Sequence, residues 1–206
     1  MKWVWTETAK TFQPPKKLLV SEWADNYRFL TSESSAEPGK WRTSRAAYQK
    51  EIMDCIIDRN IETVVFMKSA QVGATELLLN VLGYYISQDP CPIMCLQPTI
   101  EMGRSFSKDR LAPMLASSPA LEDKVKEPRS RDSENTVLHK KFPGGHMTIT
   151  GANSASGLAS RPIRILLVDE CDRYPASAGS EGDPISLATK RTTTFWNRKI
   201  IMASTP

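Results

Sequence analysis

The sequence has few of the features that mark membrane, secreted or highly charged proteins. No apolar run approaches the ~20 residues needed to cross a bilayer, and the residues after Met1 lack the apolar core of a signal peptide. These absences predict a soluble, intracellular protein with no membrane partner. The net charge is only +4, from 27 Lys and Arg against 23 Asp and Glu, which permits a nucleic-acid partner without indicating one.

Cysteine is also scarce. The chain has four cysteines in 206 residues, which is too few for a disulfide scaffold at this length. Cys91 and Cys95 lie in an apolar, strand-like stretch without a neighbouring histidine to complete a zinc site. We therefore predict that Cys55, Cys91, Cys95 and Cys171 are all reduced and structural.

The chain is long enough to bury one α/β core, with 40% hydrophobic and 24% charged residues. The segment Thr31–Gly39 is rich in serine, glutamate, proline and glycine, and this composition is typical of a loop. We predict an N-terminal arm and linker over residues 1–40, followed by one domain over residues 41–206. The last predicted strand stops at Ser204–Pro206, where a sheet would normally continue, so we expect a fragment of a longer protein.

Hydrophobic periodicity predicts alternating strands and helices, which is the pattern of a parallel α/β sheet. A hairpin is expected beside the main sheet, because two β-patterned runs flank Pro143–Gly145. The predicted helices are Tyr48–Ile57, Glu76–Ile86 and Glu101–Leu115. The predicted strands are Thr63–Met67, Pro92–Leu96, Val137–Phe142, His146–Thr150, Ile163–Val168 and Lys199–Ala203, the first of them expected to be buried.

A candidate phosphate-binding loop follows the first core strand. Compared with a glycine, four residues and Gly-Lys-Ser/Thr, the turn keeps the second glycine at Gly73 and the hydroxyl at Thr75. It departs from the pattern at Lys68, in place of the first glycine, and at Ala74, in place of the lysine. The long side chain of Lys68 can reach across the loop to the same phosphates. The alternative is an ordinary turn between a strand and a helix.

An acidic pair, Asp169 and Glu170, ends a later apolar strand. Phosphate-loop ATPases need one carboxylate for Mg²⁺ and a second to polarise the attacking water. In an open parallel sheet both strand ends lie at the same end of the sheet, so Thr75 and Asp169 can share one Mg²⁺ ion. Two acids that merely cap a following helix are the alternative.

Further polar residues complete the candidate site. Gln49 is a candidate for a hydrogen bond to an adenine edge, although an exposed glutamine near a helix start is the simpler explanation. Ser204 and Thr205 follow the last strand, where a hydroxyl pair can sense a γ-phosphate. The run Asp169–Asp172 is similar to the acidic box of helicases, so a helicase lobe is the natural competitor.

Taken together, these residues resemble the large terminase subunit of tailed bacteriophages, of the lambda-like GpA type. The resemblance covers nearly the whole chain and includes a catalytic lysine at the front of the loop, where Lys68 stands. It implies a P-loop NTPase fold of the RecA/ASCE type, with a mostly parallel sheet flanked by helices. The segments that support it are Ser21–Asp25, Ala36–Trp41, Tyr48–Gln49, the loop starting at Lys68, Gly151–Pro162, Asp169–Glu170, Glu181–Pro184 and Ser204–Pro206.

The resemblance implies an ATP-driven motor that packages double-stranded viral DNA into a procapsid in the cytoplasm of the bacterial host. Its expected partners are a small terminase subunit, a portal ring and further copies of itself in a ring. The family also has an endonuclease domain after the ATPase. Nuclease activity is therefore expected of the full-length parent protein and not of these residues.

By matching position, the resemblance assigns a role to each candidate residue. Lys68 contacts the phosphates, Glu170 activates water, and Arg161 is the candidate arginine supplied to a neighbour's transition state. A surface arginine paired with an acid is the alternative for Arg161. The predicted nucleotide-binding residues are Lys68, Ser69, Gln71, Val72, Gly73, Ala74, Thr75 and Gln49; Thr75 and Asp169 hold Mg²⁺, and Ser204 and Thr205 couple hydrolysis to movement.

Two other functions stay open at the level of sequence. A helicase shares this core but continues into a second motor lobe, whereas a terminase continues into a nuclease. A degenerate, non-hydrolysing DNA-binding or assembly module would explain Ala74. It has no need, however, of a water-activating carboxylate such as Glu170.

Overall fold

A six-stranded sheet runs through the centre of the computed structural model, which describes residues 17–33, 35–126, 135–159 and 161–205. Five of its strands are parallel, and only the outer strand β5 is antiparallel to its neighbour. Across the sheet the order is β3-β8-β7-β4-β6-β5. These strands are β3 Thr63–Met67, β4 Pro92–Gln97, β5 His139–Phe142, β6 Gly145–Gly151, β7 Ile165–Asp169 and β8 Lys199–Ser204; the short strands β1 Phe29–Leu30 and β2 Gly39–Lys40 pair separately.

Helices cover both faces of the sheet. Along β4, Ile93 and Cys95 belong to one hydrophobic cluster, whereas Met94 and Leu96 belong to the other. A strand buried on both faces needs apolar residues at successive positions, which is what Ile93–Leu96 has. The helices are α1 Val20–Tyr27, α2 Tyr48–Cys55, α3 Ala74–Ser87, α4 Ile100–Ser105, α5 Ala112–Ser117, α6 Ala155–Ala159 and α7 Pro184–Lys190, with a π-helical turn at Phe106–Leu111 and 3₁₀ turns at Thr43–Ala46 and Cys171–Arg173.

The predicted α/β class, with a mostly parallel sheet flanked by helices, is confirmed, and the predicted elements are present with small shifts at their ends. One expectation about them is wrong: β3 is not a buried strand. Val65 and Met67 are 66% and 74% exposed, because β3 is an outer strand that pairs with β8 on one side. A short apolar run indicates a strand but does not give its place in the sheet.

The predicted hairpin is present, but it is part of the main sheet and does not lie beside it. Strand β6 pairs with β4 along its whole length, from Pro92↔His146 to Gln97↔Gly151. Its inward residues Met147 and Ile149 lie in the main hydrophobic cluster. This burial explains why the hairpin joins the sheet as two further strands.

Helix α1, in the predicted N-terminal arm, packs on α3. Trp23 is fully buried, and a Cβ atom on Gly83 would lie 2.0 Å from its ring, so only glycine admits the indole there. Arg28 forms a 2.6 Å salt bridge with Glu76 in the first turn of α3. Residues 1–16 of the predicted arm lie outside the described residues, and the boundary at residue 40 stays a prediction.

All four cysteines are free, as predicted. None of the helices within the described ranges combines the length and the apolar character that crossing a membrane requires.

Candidate functional site

The carboxyl ends of β3, β7 and β8 meet at one end of the sheet. The register places Met67 opposite Ser204 and Asp169 opposite Ala203. The backbone N–H of Lys68 then donates to Ser204 O at 2.9 Å, so the predicted loop leaves β3 directly beside the last strand. This arrangement brings the separate polar motifs of the sequence into one region, as parallel topology requires.

The loop after β3 has the backbone of an anion-binding turn. Gln71 and Gly73 adopt left-handed conformations, with φ of 63° and 74°, and α3 begins immediately at Ala74. The first N–H groups of a helix have no partner within the helix and carry partial positive charge, so they favour an anion placed before the first turn. A Cβ on Gly73 would lie 3.0 Å from Gln49 Nε2, which is a second reason for glycine at that position.

Two side chains of helix α2 donate hydrogen bonds to the backbone of this loop. Gln49 is 1% exposed, and its Nε2 donates to Val72 O at 2.9 Å. The hydroxyl of Tyr48 donates to the same carbonyl at 2.7 Å. The amide nitrogen of Gln49 is therefore engaged by the loop, and the contact to an adenine edge stays a prediction.

Lys68 reaches across the loop to the opposite strands. Its side chain is 7% exposed, and Nζ donates to Glu170 Oε1 at 2.9 Å and to Thr205 Oγ1 at 2.8 Å. The front lysine, the acidic strand end and the end of β8 are thus joined through one ammonium group.

Asp169 is the more deeply buried of the two acids. It is 5% exposed, and Gln97 Nε2 donates weakly to its Oδ2 at 3.4 Å. Burial raises the pKa of Asp169, and the bond from Gln97 partly opposes that shift. Its Oδ1 is buried and has no hydrogen-bond partner among the described residues. A buried, unpaired carboxylate oxygen at this end of the sheet fits the oxygen ligands that Mg²⁺ prefers.

Glu170 is held in a conformation that favours glycine. Its φ is 52°, and its carboxylate contacts both Lys68 and, at 3.6 Å, Arg173 Nε. Non-glycine residues in this region cost of order 1–3 kcal/mol and cluster at functional sites. The turn separates the two adjacent carboxylates, so that Asp169 is buried while Glu170 is half-buried.

The end of β8 makes a second link to the acidic turn. Ser204 Oγ donates to Asp172 Oδ1 at 2.6 Å and accepts from Asp172 N at 3.2 Å. This hydrogen bond is the main reason that the pKa of Asp172 lies below its ordinary value. Ser204 and Thr205 therefore contact different residues, Asp172 and Lys68.

Arg161 is not brought to this region. It lies before β7, at the opposite end of the sheet, and its Nη1 is 3.2 Å from His139 Nε2. Within one copy of the chain it therefore does not contact the loop. A role toward a neighbouring copy stays a prediction.

Two contributors to the site were missed from the sequence. Gln97 ends the buried strand β4, and the Tyr174 hydroxyl lies 2.7 Å from Leu96 O and 3.0 Å from Asp169 O. Gln97 did leave a signal, because a polar residue ending a buried parallel strand lies at the same end of the sheet as the acids. No sequence pattern indicated Tyr174, because its position depends on the 3₁₀ turn before it.

The parallel sheet, the loop before α3 and the acidic strand end together define a nucleotide hydrolase of the phosphate-loop class. No group of three or more His, Cys, Asp or Glu side chains that could hold a metal ion is found within the described ranges. The described site is therefore one loop with one acidic pair.

Comparison with known proteins supports this class. The family model of the phage terminase large subunit gpA, ATPase domain, matches residues 35–206. The chain is 30% identical over 193 residues to the terminase large subunit of Enterobacteria phage P21 and 28% identical over 196 residues to that of Escherichia phage lambda. These alignments cover 93% and 95% of this chain and 30% of each relative. The chain thus belongs to the family of phage terminase large subunit ATPase domains.

Solved structures agree on the fold. The crystal structure of the HK97 bacteriophage large terminase gives a TM-score of 0.69 at 14% identity, covering 90% of this chain and 37% of that one. The large terminase ATPase domain of Thermus phage P74-26 gives 0.54 at 16% identity, covering 77% of this chain and 63% of that one. The chain spans about a third of the length of the curated relatives that it matches.

Proposed function

We propose that this chain is the ATP-hydrolysing motor portion of a phage large terminase, which uses hydrolysis to move double-stranded viral DNA into a procapsid. The observation that carries the proposal is the position of Lys68 Nζ, 2.9 Å from Glu170 Oε1 and 2.8 Å from Thr205 Oγ1. The family membership supports this function over a helicase lobe or a non-hydrolysing module.

The contacts of Lys68 suggest how phosphate binding reaches the rest of the domain. A phosphate group in the loop competes with Glu170 and Thr205 for the same ammonium group. Loss of that pairing frees the Glu170 carboxylate to accept a proton from an attacking water, and it frees Thr205 at the end of β8. Occupancy of the loop is thereby transmitted to β7 and β8, the two strands that end at the site.

The metal ligands proposed here are Asp169, through its unpaired Oδ1, and Thr75, at the start of α3. A bound Mg²⁺ ion would neutralise charge on the phosphates and orient them for in-line attack. The remaining proposed contacts to the nucleotide come from the loop residues Ser69, Gln71, Val72, Gly73 and Ala74, with Gly73 contributing only its backbone.

The partners follow from the same proposal. A packaging motor needs double-stranded DNA, a small terminase subunit that recognises it and a portal ring on the procapsid, all in the cytoplasm of the bacterial host. A ring of identical motor subunits would let an arginine of one copy, with Arg161 as the candidate, complete the site of the next. Endonuclease activity is proposed only for the full-length parent protein.

The test is the effect of Lys68→Ala on ATP affinity, measured by calorimetry, and on phosphate release. Because Ala74 cannot supply the cation, we expect turnover to fall by about 10²–10³-fold or more, the scale of losing one charge-stabilising group. Lys17→Ala is the matched control, because Lys17 is an exposed lysine away from the loop. Lys16→Ala is also expected to be neutral, although Lys16 lies outside the described residues.

Unchanged affinity and turnover in Lys68→Ala would contradict the proposed function. An equal loss in Lys17→Ala would mean that the effect comes from general charge and not from the loop.

A further inference from the structure

Both histidines of the chain lie together at the end of the sheet opposite the nucleotide site. The chain has only two, and the rings of His139 and His146 stack with centroids 5.7 Å apart and planes at 23°. His146 pairs with Pro92 at the amino end of β4. The stack is therefore about one strand length from Gln97 and the acidic pair.

Two cationic residues join the histidines around one open pocket of about 650 Å³. Arg161 Nη1 is 3.2 Å from His139 Nε2, and Lys141 is exposed on the same strand as His139. No acidic side chain is among the described residues that line the pocket. We refer to His139, Lys141, His146 and Arg161 as the basic pocket.

One atom of the basic pocket lacks a partner. His146 Nε2 is buried and makes no hydrogen bond to any described residue. Burial, with His139 and Arg161 close by, lowers the pKa of His146, so the ring is mainly neutral near pH 7. A buried polar nitrogen without a partner costs free energy that a bound ligand can recover. An anion would also relieve the mutual repulsion of the cations around it.

We propose that the basic pocket binds a phosphate group of the backbone of duplex DNA. Arginine and lysine side chains contact phosphate oxygens without regard to base sequence, and an imidazole N–H can donate to the same oxygens. The choice of DNA rests on the proposed motor function, since a packaging motor must hold any sequence equally.

The first experiment is an NMR titration of the two imidazoles in the ¹⁵N-labelled 206-residue chain, with any histidine tag removed. With only two histidines, each signal is assigned by one substitution, His139→Gln. Duplex DNA of about two helical turns and inorganic phosphate are added separately, without ATP. We expect DNA to shift both imidazoles and to raise the pKa of His146, because a neighbouring anion favours the charged ring.

The two titrations distinguish the possible sources of phosphate. Shifts with DNA at much lower concentration than with inorganic phosphate support the proposal. Shifts with inorganic phosphate alone would overturn it in favour of a small-anion site, and no shift with either would overturn it entirely.

A second experiment measures DNA affinity by fluorescence anisotropy as a function of salt. The double variant Lys141→Ala with His146→Gln should bind about 3–10-fold more weakly, with the salt slope reduced by about 1 per lost phosphate contact. Lys40→Ala is the control, because Lys40 is an exposed strand lysine outside the pocket. Arg161 is left intact, because it is also the candidate for a role toward a neighbouring copy.

Equal affinity of the double variant and Lys40→Ala would overturn the proposal. Because both experiments are done without nucleotide, their failure is independent of the Lys68→Ala result, which tests only ATP binding and hydrolysis.

Discussion

Each end of the central sheet has a candidate anion-binding site, and the two sites are built from different groups. At the carboxyl end, Lys68 is 7% exposed and is paired with an acid, and left-handed backbone turns the chain into α3. At the amino end, the basic pocket is made of side chains around an open cavity of about 650 Å³. A parallel sheet directs the starts of its helices toward its carboxyl end, so an anion there is bound largely by backbone. At the amino end no such backbone exists, and an anion must be bound by basic side chains.

After Lys68→Ala, the largest effect is expected from Glu170→Gln at the carboxyl end. If Glu170 activates water, hydrolysis should slow by about 10²-fold or more, the scale of losing a general base. Binding of ATP should persist, so the variant should trap the nucleotide. Single-turnover hydrolysis and a filter-binding assay measure the two properties separately. Hydrolysis at the parental rate would remove Glu170 from its proposed role.

Asp169→Asn should affect metal dependence before nucleotide affinity. The substitution replaces the buried, unpaired oxygen with a neutral amide, which is a weaker ligand for a hard cation. We expect the Mg²⁺ concentration for half-maximal turnover to rise about 10-fold or more, on the scale of perturbing a metal site. A Mg²⁺ titration of turnover measures it, with Asp172→Asn as the control on the exposed side of the turn. Identical titration curves for Asp169→Asn and Asp172→Asn would contradict the assignment.

Arg164→Ala tests whether the amino end contributes stability and not turnover. Arg164 is bonded to both carboxylate oxygens of Asp89, at 3.0 and 2.5 Å, and its guanidinium lies 5.7 Å from the centre of the Tyr85 ring. Because Asp89 is 47% exposed, we expect a loss of only about 1–2 kcal/mol in the free energy of unfolding. Urea denaturation measures this loss. If the variant kept its stability but lost ATP turnover, Arg164 at the amino end would be shown to affect hydrolysis at the carboxyl end.

The smallest effect is expected from Tyr48→Phe, which removes one hydrogen bond to the loop. Tyr48 is 54% exposed, and Val72 O keeps its bond from Gln49. A net hydrogen bond contributes about 0.5–1.5 kcal/mol, so we expect ATP affinity to fall a few-fold at most. Gln49→Ala, which removes the buried partner, should cost more. If calorimetry gave the reverse order, the loop would depend on Tyr48 and not on the buried amide.

Much of the carboxyl end could be predicted from the sequence, because its residues follow strands of recognisable pattern. Lys68, Asp169 and Thr205 each end an apolar run, and parallel topology then places all three at one end of the sheet. What could not be predicted was the pairing: Lys68 with Glu170, and Ser204 with Asp172. These pairings depend on the left-handed turn at Glu170, and a non-glycine residue gives no local sign of that conformation.

The amino end was predicted far less well. The role of Arg161 toward a neighbouring copy stays a prediction from resemblance, and its contact with His139, 22 positions earlier in the chain, has no sign in the sequence. The hairpin was expected beside the sheet, and only its pairing with β4 brings His146 next to Pro92. Side chains that converge from a hairpin, a loop and a strand start share no spacing that a sequence pattern can register.

The position of β3 has a mechanical consequence. The strand that leads into Lys68 is hydrogen-bonded along one side only, to β8, within the described residues, and its Val65 and Met67 face solvent. A force applied to β3 along its axis would therefore load a single ladder of parallel hydrogen bonds along its length. The same ladder ends at Ser204, beside the threonine that Lys68 holds. The hydrogen bonds that hold β3 in the sheet and the contact between Lys68 and Thr205 therefore belong to the same pair of strands, β3 and β8.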